Sequence, residues 1–170
     1  MSKYDELFNA YEKSKENQIA KSRALQRVVA IVIKRLVDIL ECPNGTFWCI
    51  DPEDPETMHN VFSAPIKLDE DGINYRIHCR TMLERQDHRH KMRFDIYLLV
   101  NFEGVWNGEF IFSAPPNEKQ FKISPDDSSQ IDAYCQHVFA GMLAHLEGRE
   151  DWKASGNPGM GFQAIISDRE

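Results

Sequence analysis

Apolar residues recur at helical spacing through the N-terminal stretch Ser2–Glu41, which contains neither Pro nor Gly. Because those two residues end or kink helices, this stretch predicts one long helix. Its second half, Leu25–Leu40, is apolar on more than one side, which indicates burial against more than one neighbour. A helix of about 40 residues is roughly 60 Å long, whereas a domain of this size has a radius of gyration of only about 15 Å. We therefore expect the first part of the helix to project from its own domain.

The part that is expected to project carries a short apolar stripe of its own. Its members are Tyr4, Leu7, Phe8 and Tyr11. A polar interval, Ser14–Gln18, separates this stripe from the apolar second half of the helix. An apolar face beyond the core of its own domain indicates contact with another protein. We therefore expect these four residues to contact a second subunit or a partner.

The centre of the chain changes to alternating apolar and polar positions, over residues 73–82 and 92–102. Such alternation predicts an antiparallel meander of about five strands with one buried face. The acidic segment Asp51–Asn60 contains two prolines and is predicted to be a loop. Shorter strands are predicted at Thr46–Ile50, at Val61–Leu68 on an edge and at Phe121–Ile123, and Met160–Ile166 is either a last strand or a packed tail.

The two long alternating segments also predict a register. A turn near Asp87 and His88 places Arg80 opposite Asp95 and His78 opposite Tyr97. The face that points away from the core then gathers charged and aromatic side chains. A turn of about three residues after Phe102 would place Ile111 beside Tyr97 on the next strand.

A second helix is predicted from Ser124, which precedes Pro125 and two acidic residues, to Gly148. Its single apolar stripe indicates that it packs on the same sheet face as the first helix. The predicted fold is therefore α+β, and the runner-up is a cone-shaped α+β fold that leaves a ligand cavity. We expect one domain over residues 1–170, with a projecting helical extension (1–20), a core (21–148) and a loop with a C-terminal tail (149–170).

Composition limits the functional classes. The formal net charge of -7 and the pI of about 5.4 make nucleic acid an improbable partner for the protein as a whole. The N-terminus lacks a signal-peptide pattern and no apolar run is long enough to span a membrane, so a soluble, cytoplasmic protein is expected. The four cysteines form neither a CxxC pair nor a Cys/His zinc pattern, and no cofactor is indicated.

The polar sheet face is the first candidate site. Cross-strand pairs of this kind stabilise an exposed sheet face, but the cluster could also bind an anion, an acidic partner or a substrate. Its candidate ligand-binding residues are Arg76, His78, Arg80, Arg93, Asp95 and Tyr97. No Ser-His-Asp order, HExxH motif or paired-carboxylate site is present to assign a catalytic residue.

The tip of the predicted hairpin is the second candidate site. Arg85, Arg89 and Lys91 make it basic, so it is a candidate partner contact. His88 and His90 are weak candidates for a metal site, because two histidines two residues apart in a loop lack the remaining ligands.

These observations favour a non-enzymatic interaction or adaptor protein that homodimerises through its N-terminal helix and binds a protein partner. The first alternative is a small-molecule or anion-binding domain, or an enzyme, that uses the polar sheet face. In size, acidity and helix–sheet–helix plan the chain also resembles type III secretion chaperones. That resemblance rests on general properties and implies a secretion-chaperone-like acidic protein as a further alternative.

Overall fold

The structure is a computed structural model that describes residues 2–51, 53–68, 74–84, 90–102, 107–114, 119–147 and 161–168, with the backbone alone at residues 61, 90, 91, 114 and 161–168. It has the predicted α+β architecture, with a long N-terminal helix, an antiparallel sheet and a second helix packed on it. Helix α1 spans Lys3–Leu40 and α2 spans Ser128–Leu146. The strands are β1 (Phe47–Asp51), β2 (Asp54–His59), β3 (Lys67–Leu68), β4 (Tyr75–Glu84), β5 (His90–Asn101), β6 (Phe110–Ala114), β7 (Lys119–Ile123) and β8 (Gly161–Asp168).

Helix α1 is continuous, and only its second half is buried. A capping box begins it, because the Ser2 hydroxyl accepts from the backbone N–H of Asp5 while the Asp5 carboxylate accepts from the backbone N–H of Ser2. Glu41 ends it in the left-handed region, with φ 50°. From Lys3 to Ala20 the side chains are exposed apart from the half-buried Glu12. We call this segment, residues 3–20, the arm.

Strand β5 lies at the centre of the sheet, whose order is β2-β1-β4-β5-β6-β7. One edge of β5 pairs with β4 from Lys91 to Val100. The other edge is shared, because β8 pairs with His90–Tyr97 and β6 pairs with Leu99–Asn101. The described residues place eight strands in this antiparallel sheet, which is more than the approximate five of the sequence prediction because the short edge strands add to it.

The predicted register of the long hairpin is confirmed. Arg80 lies opposite Asp95, and His78 lies opposite Tyr97. The predicted register of the next strand is wrong, because Ile111 lies opposite Asn101 rather than beside Tyr97. Strand β6 begins only at Phe110, so the connection after β5 is longer than a tight turn and moves the pairing along the strand.

Both helices pack on the same face of the sheet, as predicted. The thiol of Cys135 on α2 donates to the carbonyl oxygen of Val32 on α1 at 3.5 Å, and Arg35 pairs with Asp132 across the same helix contact. The core combines the two helices with the inner face of the sheet. Its large, fully buried members include Ile33, Leu36, Ile77, Phe94, Ile96, Leu98, Phe110, Phe112, Ile123 and Tyr134.

Three local predictions are wrong. The segment predicted as an acidic loop contains β2, an exposed edge strand that pairs with β1 and tolerates Pro55 because an edge N–H needs no partner. The predicted edge strand at Val61–Leu68 is a 3-10 turn at Val61–Ser63 followed by the short β3. Helix α2 begins at Ser128, because the Asp127 carboxylate rather than Ser124 caps it.

Candidate functional site

The outer face of the sheet, opposite the helices, carries the predicted polar cluster at the β4–β5 pair. Alternation turns Arg76, His78 and Arg80 outward on β4, and the neighbouring outward positions on β5 follow from the register. The structure brings together His78, Arg80, Arg93, Asp95 and Tyr97. Arg76 stands at the end of the same row, opposite Leu99, and is half-buried.

The carboxylate of Asp95 is the centre of the cluster, and the residue is only 2% exposed. Arg80 donates to it twice, from Nε to Oδ1 at 2.7 Å and from Nη2 to Oδ2 at 3.1 Å. The Nε atom of Arg93 lies 3.6 Å from Oδ1. Burial alone would raise the pKa of Asp95, but the hydrogen bonds and charge of Arg80, with His78 and Arg93, outweigh it and lower that pKa. Asp95 is therefore ionised at neutral pH.

His78 is a neutral, buried member of the cluster. Its ring stacks on Tyr97 with the centroids 4.4 Å apart and the planes at 22°. Its Nε2 atom lies 3.3 Å from Oδ2 of Asp95, but the two atoms are too poorly aligned for a hydrogen bond. Burial lowers the pKa of His78 and is the largest effect. The negative charge of Asp95 raises this pKa, and the positive charges of Arg80 and Arg93 lower it, so the net change is a lowered pKa.

This geometry suits a stable ion pair better than it suits acid–base catalysis. Asp95 is a poor general base, because its pKa is low and both of its oxygens accept from Arg80. Among the described residues, the guanidinium groups of Arg80 and Arg93 both lie near the carboxylate of Asp95, and the side chain of Arg93 is 37% exposed. The arrangement suits a structural ion network, and the exposed side of Arg93 could contact an anion.

His78 should make the fold sensitive to mild acid. A histidine whose pKa is lowered on folding binds more protons when unfolded, so the free energy of unfolding falls as the pH drops below about 6.5. Asp95 acts in the same direction, but only below its ordinary value of 3.8. We expect His78→Gln, which removes the titration, to reduce the loss of stability between about pH 7.5 and 5. Urea unfolding at both pH values measures this, and equal losses in the two proteins would contradict it.

The partner contact and the weak metal site predicted at the hairpin tip stay predictions. Arg85, His88 and Arg89 lie outside the described residues, and His90 and Lys91 are described only as backbone of β5. Within the described ranges no three His, Cys, Asp or Glu side chains come close enough together to hold a metal ion.

Three of the four cysteine side chains, those of Cys49, Cys79 and Cys135, are buried. All four are free, and the sulfur atoms of Cys49 and Cys79 lie 4.0 Å apart across the β1–β4 pair. Burial raises the pKa of the Cys135 thiol to about 12, so that thiol is protonated at neutral pH and is a poor nucleophile.

The apolar stripe predicted on the N-terminal helix is in water. Tyr4 is 76% exposed, Leu7 72%, Phe8 53% and Tyr11 60%. No other described segment places four large apolar side chains with such exposure on one face of one element. These four residues, which we call the stripe, lie on the arm.

A groove beside α1 was not predicted from the sequence. It has a volume of about 420 Å³ and lies between α1 and the 3-10 turn that follows β2. The residues that line it are Arg23, Gln26, Arg27, Ala30, Ile31 and Phe62. We call this set the groove. The one sequence signal for it is Phe62, a large aromatic residue in a turn, where it has no core to fill and is 70% exposed.

The outer sheet face is also more buried than alternation predicted. Ile50, Leu99 and Ile111 occupy outward positions in the register, yet they are 1%, 2% and 6% exposed. The ion cluster therefore lies among buried apolar neighbours rather than on an open polar surface. This burial strengthens the electrostatic contacts around Asp95, because water screens them less.

Comparisons of the chain with protein-family models, with curated proteins and with solved structures each found no match. Within the described ranges, neither helix combines the length and the apolarity that crossing a membrane requires.

Proposed function

We propose that this protein is a non-catalytic interaction module that homodimerises through its N-terminal helix and in that form binds a protein partner. The observation that carries the proposal is the stripe. It places four large apolar side chains, each more than half exposed, on one face of a helix that extends beyond the packed core. Contiguous apolar surface of this kind is typical of protein-binding sites.

The arm is built to present that surface. A capping box stabilises its first turn, and Asp5 and Glu6 lie where the helix dipole favours negative charge. It also continues without a break into the buried half of α1, which anchors it in the core. A helix that is already ordered loses little conformational entropy when it binds, so its exposed side chains are ready for a partner.

The outer sheet face supports catalysis less well. Its carboxylate already has Arg80 as a counter-ion, and burial keeps His78 neutral beside it. Ligand binding or catalysis at Arg76, His78, Arg80, Asp95 and Tyr97 would have to compete with these internal contacts. The interaction module is therefore the function that we favour.

Light scattering coupled to size-exclusion chromatography tests the proposal. At about 100 µM chain we expect a mass near twice the 19.7 kDa of one chain. Leu7→Ser combined with Phe8→Ser should shift the protein to the monomer, because it replaces the two central side chains of the stripe with small polar ones. The double variant should keep the helical circular-dichroism signal, since both side chains are exposed.

The matched control is Met58→Ser. Met58 is 66% exposed on the edge strand β2, so the change removes a similar apolar side chain away from the arm. The control should remain dimeric. A wild-type protein that is monomeric at this concentration would overturn the proposal.

A further inference from the structure

We infer that the arm docks into the groove of a second copy of the chain, so that two chains exchange their arms reciprocally. This inference rests on the proposed function and names the binding site for the stripe. The groove offers apolar walls from Ala30, Ile31 and Phe62 and a basic rim from Arg23 and Arg27, and Arg27 also lies 3.7 Å from the exposed Asp126 of its own chain. Its complement is a segment that combines large apolar side chains with acidic ones, and the arm has both.

The charges along α1 fit such an exchange. Successive residues of a helix are rotated by about 100° around its axis. By this measure Asp5, Glu12 and Glu16 lie along one side of α1. Arg23 and Arg27 lie within about 60° of the same side, farther along the helix. Lys13 borders the same side, which therefore carries three acidic residues and one basic residue in the arm and two arginines at the groove. Two copies that lie antiparallel place the acidic part of each against the basic part of the other. A parallel arrangement would place like charges together.

The spacing along α1 fits as well. The stripe covers positions 4–11, and the groove uses positions 23–31 of the same helix. Both are centred about 10 residues from Asn17, or about 15 Å at 1.5 Å per residue. An antiparallel crossing of two α1 helices near Asn17 therefore brings each stripe to the groove of the other copy. The exposed Ile19 adds an apolar side chain close to that crossing.

The two surfaces lie on sides of α1 that differ by about 115°, again at about 100° per residue. When two straight helices cross at an angle, the side of each helix that faces the other changes along its length. When two straight helices run parallel, the same side faces the partner throughout. The commonest crossing class in globular proteins, near 50° in magnitude, accommodates this offset. The arrangement is two-fold symmetric, so each copy contributes the same arm and the same groove.

The area also favours a second copy over an unrelated protein. With about 200 Å² for a fully exposed large side chain, the exposed fractions of the stripe leave on the order of 500 Å² on each arm. Two reciprocal contacts would cover both stripes, which is roughly 1,000 Å² of arm surface before any partner surface is added, and stable interfaces bury about 1,200–2,000 Å² in total. One arm on an unrelated protein would contribute only about half of that arm surface.

Phe62 is held ready for this contact. The side-chain oxygen of Asn60 accepts from the backbone N–H groups of Phe62 and Ser63, at 2.9 and 3.1 Å. The side-chain amide of Gln26 donates to the carbonyl oxygens of Phe62 and Ala64, each at 3.3 Å. The backbone around Phe62 is thus fixed on both sides while its ring is in water. A fixed aromatic side chain beside an apolar wall is typical of the residues that dominate binding energy.

Charge reversal on the two sides of the contact tests the inference in the full-length chain. The arm variant is Glu12→Lys with Glu16→Lys, which leaves Asp5 to cap the helix, and the groove variant is Arg23→Glu with Arg27→Glu. Each variant alone places like charges across both contacts, so we expect self-association to weaken at least about 10-fold. An equimolar mixture restores opposite charges at both contacts, and it should form a heterodimer within about 3-fold of the wild-type affinity.

Fluorescence-detected sedimentation with one variant labelled measures the heterodimer. All four changes in one chain should restore the homodimer. Glu56→Lys with Glu109→Lys is the control, because it changes the net charge by the same amount as the arm variant at exposed positions outside α1.

The outcomes separate this inference from the proposed function. If the groove variant dimerises like the wild type while Leu7→Ser with Phe8→Ser does not, the arms bind elsewhere, for example to each other. The groove is then overturned and the proposed function stands. If the mixture of the two charge variants fails to associate, the reciprocal exchange is overturned. If the wild type is monomeric, both are overturned.

Discussion

Replacing Asp95 with Ala should destabilise the fold by about 3–5 kcal/mol, although the residue lies on the sheet face away from the main core. Asp95 is 2% exposed, and both of its oxygens accept from Arg80, whose side chain is only 13% exposed. Removing the carboxylate leaves a buried guanidinium without its counter-ion. Taking one partner from a buried pair costs much more than the pair itself contributes.

Urea unfolding at neutral pH measures this effect. Arg93→Gln is the control in the same cluster, because Arg93 touches the same carboxylate at 3.6 Å but is 37% exposed. Water screens that contact, so the control should lose less than about 1 kcal/mol. Equal losses in the two variants would show that Asp95 has no special electrostatic role.

Two substitutions of the core residue Tyr134 should change the stability of the fold in opposite directions. It is fully buried, and its ring lies against those of Phe112 and Phe121 with centroids 5.1 and 5.4 Å apart. Tyr134→Ala should lose about 3–5 kcal/mol, because it leaves a cavity among these rings. Tyr134→Phe should instead gain about 1 kcal/mol. Its hydroxyl is buried without a hydrogen-bond partner among the described residues. The free energy lost when this hydroxyl leaves water is therefore not offset by a hydrogen bond, and Phe avoids that loss.

Thermal and urea unfolding of the two variants provide the measurement. The comparison separates the ring from its hydroxyl, since Phe keeps the ring and Ala removes both. A loss of more than about 1 kcal/mol in Tyr134→Phe would show that the hydroxyl is satisfied in solution, for instance by a buried water.

The sequence was sufficient for the parts of the fold that depend on regular spacing. Continuous helix formation in α1 follows from the absence of Pro and Gly between Ser2 and Glu41. The pairing of Arg80 with Asp95 follows from two long alternating segments on either side of one turn. Both features are local or depend on one short connection.

Features that depend on distant neighbours were missed. Strand β2 has exposed side chains at five of its six positions, so it shows no alternation and exists only because β1 offers it an edge. The groove requires Phe62 to meet a helix that lies more than 30 positions earlier in the chain, as the contacts of Gln26 show. No periodic pattern within one segment records a contact of this kind.

The features of the candidate sites that follow from regular spacing were also predicted, and those that depend on distant neighbours were not. The members of the outer cluster were found because they share one face of two paired strands. Their burial was not predicted, because it depends on apolar neighbours on other strands, such as Ile50 and Ile111. The exposure of the stripe was predicted from length alone, since an unbroken α1 is longer than the domain that it crosses.

The divided edge of β5 has a consequence for how the chain is made. Strand β8 reaches β5 across sequence separations from 64 residues (Tyr97 to Gly161) to 78 residues (His90 to Asp168). During synthesis the first half of that edge therefore has no partner until the segment beyond residue 160 has left the ribosome. An open edge can recruit strands from neighbouring chains, and pairings over such separations form slowly. The interval before β8 arrives is thus the period when a nascent chain is most prone to aggregate.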